Sequence, residues 1–515
     1  MKQLLFLISV ILIANCYLQA QLPEDALRLS WSAPSGTARQ QAIGGAMGSL
    51  GGEITTSYVN PAGLAFYKIS EFVVSPGYSF QKDKSNYRGT SSSANSSNNF
   101  NLGASGFVFA RPGNNGSGSA LSISVNRTAN FNSNTYYQGQ NDYSSFSEQY
   151  VEEFVQSGLS IDNALYSPQL SYGTRMALYT YLIDTATING VTKVIGQPQK
   201  SSLLFQQNAI NTTGGVTEIA IAFAGTNLNK WYFGGTLGIP ILSYTRNSSF
   251  TETDASQNPN NDFAFSTYNE KYTTHGAGIN LKLGMIFRPV GSLRLGLAVH
   301  TPTIYALTDN LSASMVTNTE NYTAFKQISI TSDSLDAATG TYPGQVKYDA
   351  TSPWKFIVSG AYVFGETPDV KEQKGFVTAD LEYVTNRSVK YSAAEMNGTT
   401  MNGYYDAVNG AIKGYYKNTF DLRIGGELKF NTLAVRGGFA YYTSPYQQSE
   451  LKANRMYISG GAGYRNKGIF VDLTYVQGFT NDVNFPYRLA DKENTYASIK
   501  QSSGTVLLTI GCKFK

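Results

Sequence analysis

The sequence predicts an all-β fold, a transmembrane antiparallel β-barrel of about 14 strands with an N-terminal plug in its lumen and helical insertions in its external loops. Three observations point there. The chain is poor in charge without being greasy. Two-residue alternation takes over from Ile69 and lasts to the C-terminus. The gaps between alternating stretches are by turns long and short.

Charged side chains are 14% of the 515 residues and aromatic ones 13%, with 36 Tyr and 50 Gly, at a mean hydropathy of -0.22. Soluble domains carry roughly 25% charged residues. Strands that are apolar only at every second position account for low charge and low hydropathy together. A net charge of +4, dispersed along the chain, excludes a basic nucleic-acid footprint.

Lys2, the apolar run over residues 4–14 and the polar stretch ending at Ala20 read as a signal peptide over residues 1–20, cut after Ala20. Asn15 disfavours lipidation of Cys16. Cleavage leaves Cys512 as the one mature cysteine, so no intramolecular disulfide forms. No later stretch reaches the roughly 18 apolar residues of a spanning helix, so a membrane crossing here is made by strands.

Residues 21–68 lack strand alternation and are too small and glycine-rich to build a core. They must pack inside something. Their centre is GGAMGSLGGEITTSYVNPAGLAF, from Gly44 to Phe66. Its glycines let backbone approach backbone, and Asn60-Pro61 makes a stiff turn just before the strands begin. Gly44, Gly45, Asn60, Pro61 and Ala62 are the expected plug or gate residues.

The barrel is assigned to residues 69–515. Candidate strands cover 69–81, 100–111, 118–128, 216–225, 230–245, 274–288, 291–307, 353–365, 374–391, 419–430, 432–443, 455–465, 468–478 and 503–515. Most come near the roughly 9–11 residues of a tilted spanning strand. In 419–430, Phe420, Leu422, Ile424, Leu428 and Phe430 oppose Asp421, Arg423, Gly425, Glu427 and Lys429. Trp231, Phe233, Leu237, Ile239 and Ile241 oppose Tyr232, Gly234, Thr236 and Gly238, and Ile469, Val471, Leu473 and Tyr475 oppose Phe470, Asp472 and Thr474. A soluble sandwich and a membrane barrel both alternate in this way. The gaps separate them. The odd gaps (82–99, 129–215, 246–273, 308–352, 392–418, 444–454, 479–502) are long, and the even ones, which include 112–117, 226–229, 289–290, 431 and 466–467, are short. Long external loops against short periplasmic turns mark an outer-membrane barrel. At the C-terminus Phe514 is penultimate, with Lys515 after it, and Cys512 falls on the lipid-facing parity.

The large external loop, 129–215, carries two helical patterns: Phe146, Tyr150, Val151, Phe154 and Val155, then Met176, Ala177, Tyr179, Leu182 and Ile183. Their apolar faces need a partner. Either they pack together and cap the barrel, or they form a greasy landing site, with Tyr150, Phe154, Val155, Met176 and Leu182 capturing a solute. Asp421, Arg423, Glu427 and Arg436 share an inward face and are expected to form ion pairs that hold the plug, with no acid–base chemistry. His275 and His300 have no metal-ligand spacing, the glycine-rich 113–119 lacks a phosphate-loop Lys-Ser/Thr, and there is no G-x-S-x-G elbow. No enzymatic activity, metal or cofactor is expected.

The stretch Gly44–Phe66, with Asn60, Pro61 and Ala62 matching an Asn-Pro-Ala hallmark, resembles the N-terminal plug of FadL-type transporters, Gram-negative outer-membrane channels for long-chain fatty acids and other hydrophobic compounds. The resemblance implies passive transport. External-loop helices capture the solute, an interior site holds it, and a shift of the plug or a kink in an early strand releases it sideways into the bilayer. It implies a hydrophobic partner, a long-chain fatty acid or an aromatic hydrocarbon, together with outer-membrane lipid and no nucleic acid. Arg423 or Arg436 would meet a carboxylate head group, although structural pairing is the commoner use of such charges. The alternative is a barrel component of a secretion or surface-attachment machinery that holds exported proteins. A water-filled porin is disfavoured because the plug would obstruct it.

Overall fold

The computed structural model describes residues 25–30, 33–113, 116–339, 344–365, 373–394 and 402–514. The signal segment 1–20, with Cys16 and the cleavage point at Ala20, lies outside the described residues, as does Lys515.

Exposure decides between the two architectures that alternation allows. Along Thr419–Phe430, the apolar Phe420, Leu422, Ile424, Leu428 and Phe430 are 39–61% exposed, while Asp421, Arg423 and Glu427 are at most 7% exposed. A soluble sandwich would show the reverse. Greasy side chains outside and charges inside are the arrangement of a wall standing in lipid.

Fourteen antiparallel strands close that wall. They are β1 (Ser70–Val74, continuing as Pro76–Tyr87), β2 (Ser97–Leu102, then Ser105–Pro112), β3 (Gly118–Asn130), β4 (Leu204–Asn227), β5 (Trp231–Asp254) and β6 (Phe265–Val290). Next come β7 (Leu293–His300, then Ile304–Asn318), β8 (Gln345–Thr351, then Lys355–Phe364) and β9 (Gly375–Val384, with Lys390–Ala393). The last are β10 (Thr419–Phe430), β11 (Leu433–Tyr442), β12 (Arg455–Asn466), β13 (Ile469–Asn484) and β14 (Ala497–Phe514). Each strand pairs with its sequence neighbours, and β14 closes on β1, from Ser70 opposite Phe514 to Asn86 opposite Ser498. Closure pairs the last strand with the first, as lipid demands of a spanning sheet.

Aromatic residues mark the two margins of the lipid band, where amphipathic rings settle. Trp231 stacks on Phe287 at the end of the short turns, and Trp354, Phe356, Tyr383 and Phe420 form a chain of ring contacts at the opposite end. Cys512 is exposed on the outer face.

Several strands run well past this band. β4 begins at Leu204 and β5 ends at Asp254, so much of what composition suggests is loop, in 129–215 and 246–273, is paired strand. The outward positions there are largely polar, Asn247, Ser249, Thr251 and Thr253 on β5, and read as loop. The inward ones, among them Tyr244, Phe250 and Tyr272, keep the two-residue period and are buried.

Three layers fill the lumen. Residues 33–67, with α2 (Ala38–Ala42), α3 (Thr56–Val59) and the 3-10 turn Pro61–Phe66, sit at the short-turn end. A tyrosine-rich layer lies above them. It contains α1 (Asp25–Ser30) from the N-terminal segment and α8 (Asn402–Tyr415) from the loop after β9. At the outer mouth α4 (Glu148–Ser157), α5 (Ile161–Leu165) and α6 (Tyr172–Tyr179) pack against the inner face of the strand extensions, with α7 (Ser332–Thr339) beside them.

Candidate functional site: plug, chamber and wall seam

Asn60 is fully buried and ties the plug to the wall. Its amide donates to the carbonyls of Gly48 (2.6 Å), Met285 (3.2 Å) and Leu297 (3.3 Å), while its Oδ1 accepts from the Ala62 amide (3.2 Å) and caps the turn that Pro61 begins. The wall glycine Gly284 makes room for that amide, because a Cβ there would overlap Asn60 Oδ1. Gly438 does the same for the backbone of Ile43 and Gly44. Gly44 itself stands at φ 67°, a left-handed conformation suited to glycine. Its amide donates to Ser459 Oγ (3.2 Å), and Gly45 lies against the Arg423 side chain. The amides of Met47 and Gly48 both donate to the buried Asp380, and the carbonyl of Val59 meets His300 Nε2 at 2.8 Å.

The inward charges form chains. Arg436, with none of its side chain exposed, donates to Glu427 (2.6 Å) and Asp472 (2.6 Å), and Arg39 of the plug reaches the same Glu427 (3.2 Å). Arg423 pairs with Glu382 (2.5 Å). Asp421 is buried on the same inward face of β10, one inward position further toward the outside than Arg423.

The wall is interrupted on one side. Val73 on β1 faces Gly106 on β2, yet Pro76 faces Leu102, so three steps on β1 oppose four on β2. This extra residue is a β-bulge, centred on Gly103 and Ala104. Ser75 staples it: its amide donates to Ser105 Oγ (2.9 Å), its Oγ donates to the Ala104 carbonyl (2.8 Å), and its own carbonyl accepts from the Gly103 amide (2.8 Å). Beyond the bulge, among the described residues, the ladder between β2 and β3 ends at Ser105 opposite Val125. Among the described residues, the outer half of β2 pairs only with β1, and residues 126–130 of β3 pair only with β4. Phe100 (73% exposed) and Leu102 face outward beside this seam.

Inside, above the plug, lies a chamber of about 160 Å³. It is lined by Ser35 and Gln40 of the plug, Thr128 and Ala129 at the seam, and Tyr305 and Tyr442 of the wall. Lys282 pairs with Glu218 on its side and also donates to Asn280 Oδ1 (2.8 Å). Above it stand the inward tyrosines Tyr244, Tyr272, Tyr305, Tyr348 and Tyr391, packed around Ala26 and Leu27 of α1. The Arg28 guanidinium lies 3.8 Å from the Tyr244 ring centre and pairs with Asp25.

The cap gives the loop helices a structural partner. Tyr150, Phe154, Met176 and Leu182 are at most 5% exposed, in one cluster with Phe250 and Met315 of the strand extensions, and Val155 alone of the five faces outward. Helical spacing showed an apolar face without showing what covers it. Replacing Phe154 by alanine is therefore expected to loosen the cap by about 3–5 kcal/mol, read as faster protease cleavage within residues 143–203. Val155→Ser should leave cleavage unchanged.

Glu252 ties the cap to β5, well beyond the lipid band. Fully buried, it accepts from Ser145 Oγ (2.6 Å), Gln206 Nε2 (2.6 Å) and the Phe146 amide (3.1 Å). Burial is the larger influence and pushes its carboxyl up to about 7, while the donated hydrogen bonds pull it down. The folded cap thus holds a proton that the unfolded chain releases near the ordinary carboxylate value. Its contribution is fully present below that value and is lost as pH rises toward 7. Hydrogen exchange over residues 144–155, corrected for intrinsic rate, should show protection declining across that window, and Glu252→Gln should flatten the decline.

A closed membrane barrel with a seated plug, an interior chamber and one interrupted seam defines a plugged barrel of the outer-membrane kind. No family model and no curated protein matches the sequence. By structure the chain is similar to a FadL homologue from Pseudomonas aeruginosa, with TM-score 0.55 and 14% identity over 94% of this chain and 100% of that one. It is also similar to the toluene transporter TodX from P. putida, with TM-score 0.51 and 13% identity over 95% and 99%. The fold is therefore that of the FadL-type outer-membrane transporters.

Proposed function

We propose that the protein is an outer-membrane channel for small hydrophobic compounds, passing them from the outer mouth to the interior chamber and out through the seam. The seam carries this reading, because it interrupts the wall where Thr128 and Ala129 line the chamber. A solute leaving there enters lipid directly and never crosses water. Two structural neighbours, a FadL homologue and a toluene transporter, support the same class. Long-chain fatty acids and aromatic hydrocarbons are both candidates. Val155 is the one proposed capture residue on the surface, and the other four would contact solute only when the cap opens. The plug residues Gly44, Gly45 and Asn60–Ala62 form the proposed gate, and Arg423, Asp421, Glu427 and Arg436 hold it shut.

The second reading, a surface-attachment component binding exported protein, is favoured by a different feature. The outer face of the strand extensions carries an open groove of about 890 Å³ with Asn134, Asn211, Asn247 and Asn269 on it. Titration of the purified protein with labelled hexadecanoate and labelled toluene separates the two readings. Saturable binding of either supports transport. A folded barrel that binds neither of these nor another small ring compound sinks it and leaves the outer groove as the site to pursue.

A further inference from the structure

We propose that the chamber between plug and wall is a binding site for a single ring bearing a hydroxyl group, a small phenol, in preference to a bare hydrocarbon ring or an alkyl chain. This rests on the transport reading and names a substrate class for it.

Size sets the first limit. An apolar cavity of about 150 Å³ accommodates one benzene ring, and this chamber has about 160 Å³. One ring fills it, and a sixteen-carbon chain could place only a fraction of its length there. Leu29, Val59, Ala129, Val216, Tyr305 and Ile357 give it apolar wall.

Its polar lining sets the second limit. Tyr442, from the wall, is 1% exposed, and its Oη has no hydrogen-bond partner among the described residues. Gln40, from the plug, is 4% exposed, and its amide oxygen is likewise without one. Leaving such groups buried and unpaired costs about 1–3 kcal/mol each. Lys282 pairs with Glu218, and Arg423 pairs through its Nη2 with Glu382 while its Nε, like those two atoms, has no hydrogen-bond partner among the described residues. The chamber is therefore short of hydrogen-bond partners and not short of a negative charge, which disfavours a fatty-acid head group in it. A phenolic hydroxyl accepts from Tyr442 and donates to Gln40, whereas a methyl group in its place leaves both unsatisfied. Sites that hydrogen-bond a ligand hydroxyl discriminate strongly against the analogue lacking it. Because one partner is on the wall and the other on the plug, the bound ring would also bridge the two.

The test is calorimetric titration of the purified full-length protein with p-cresol, toluene and hexadecanoate. We expect saturable binding of one p-cresol per chain, roughly tenfold or more tighter than toluene, the equivalent of one hydrogen bond. Tyr442→Phe and, separately, Gln40→Met should reduce the p-cresol affinity toward that of toluene and leave toluene unchanged. Equal affinity for the two rings, or a p-cresol preference that survives in both variants, overturns the proposal. Binding of hexadecanoate or toluene without p-cresol also overturns it and leaves the transport reading standing. Binding of none of the three removes both.

Discussion

Arg436→Ala should be the most damaging single substitution inside the barrel. Arg436 is enclosed between Glu427 and Asp472, and its loss leaves two carboxylates buried with reduced compensation. Breaking a buried ion pair from one side typically costs about 3–5 kcal/mol. Arg39 and the partly exposed Arg465 remain near the pair, at 3.2 Å from Glu427 and 3.5 Å from Asp472, so a residual network survives and the barrel should still assemble. The expected observation is a lowered unfolding midpoint in the gel-mobility assay that separates folded from heat-denatured barrels. Replacing Asp472 by Asn in the same chain should restore part of the loss, since Glu427 keeps Arg39 as its partner and the carboxylate left with only a partly exposed arginine is then gone. A midpoint unchanged in Arg436→Ala would mean that water enters this part of the lumen freely.

Deleting Gly103 should abolish delivery to the bilayer while leaving a folded protein. The bulge places one extra residue on β2, and outward side chains sit at even positions above it (Phe100, Leu102) and odd positions below it (Phe107, Phe109). Removing Gly103 brings the two halves into one phase. The ladder to β3 can then continue past Ser105 and Val125, and the seam closes. Gly103 also faces the Gly36 carbonyl of the plug, so a bulkier residue there would push on the plug instead of repairing the wall. Deletion is the cleaner change for that reason. Uptake in cells making this variant should fall to that of cells without the protein.

The wall was readable because a barrel strand repeats every second residue, and the late strands show that period plainly. The phase slip at Gly103 was readable too: Phe100 and Leu102 give way to Phe107 and Phe109 out of step. A single strand over 100–111 ran across it. The strand extensions escaped notice because their outward faces are largely polar, and only inward residues such as Phe250, Tyr272 and Met315 keep the period. Abundant tyrosine carries no message by count, but Tyr244, Tyr272, Tyr305, Tyr348 and Tyr391 all fall on inward positions and together form one layer. Inward charge on β10 and β11 was visible, while the pairing of Arg39 with Glu427 joins residues 388 apart and leaves no local trace. The cap shows the opposite limit. Periodicity located α4 and α6, although Leu182 falls past the end of α6 and Ile183 opens a strand, but only their packing on Phe250 and Met315 shows why Phe154 and Met176 are interior residues.

The central claim is lateral delivery of a hydrophobic solute through the seam. It is tested most directly by uptake of labelled toluene and hexadecanoate into intact Gram-negative cells producing either the native chain or the Gly103 deletion, with equal amounts of folded barrel confirmed in the outer membrane. The account predicts faster uptake of at least one solute with the native chain and none of that gain with the deletion. Undiminished uptake through the deletion variant, or no gain from the native chain, would contradict it.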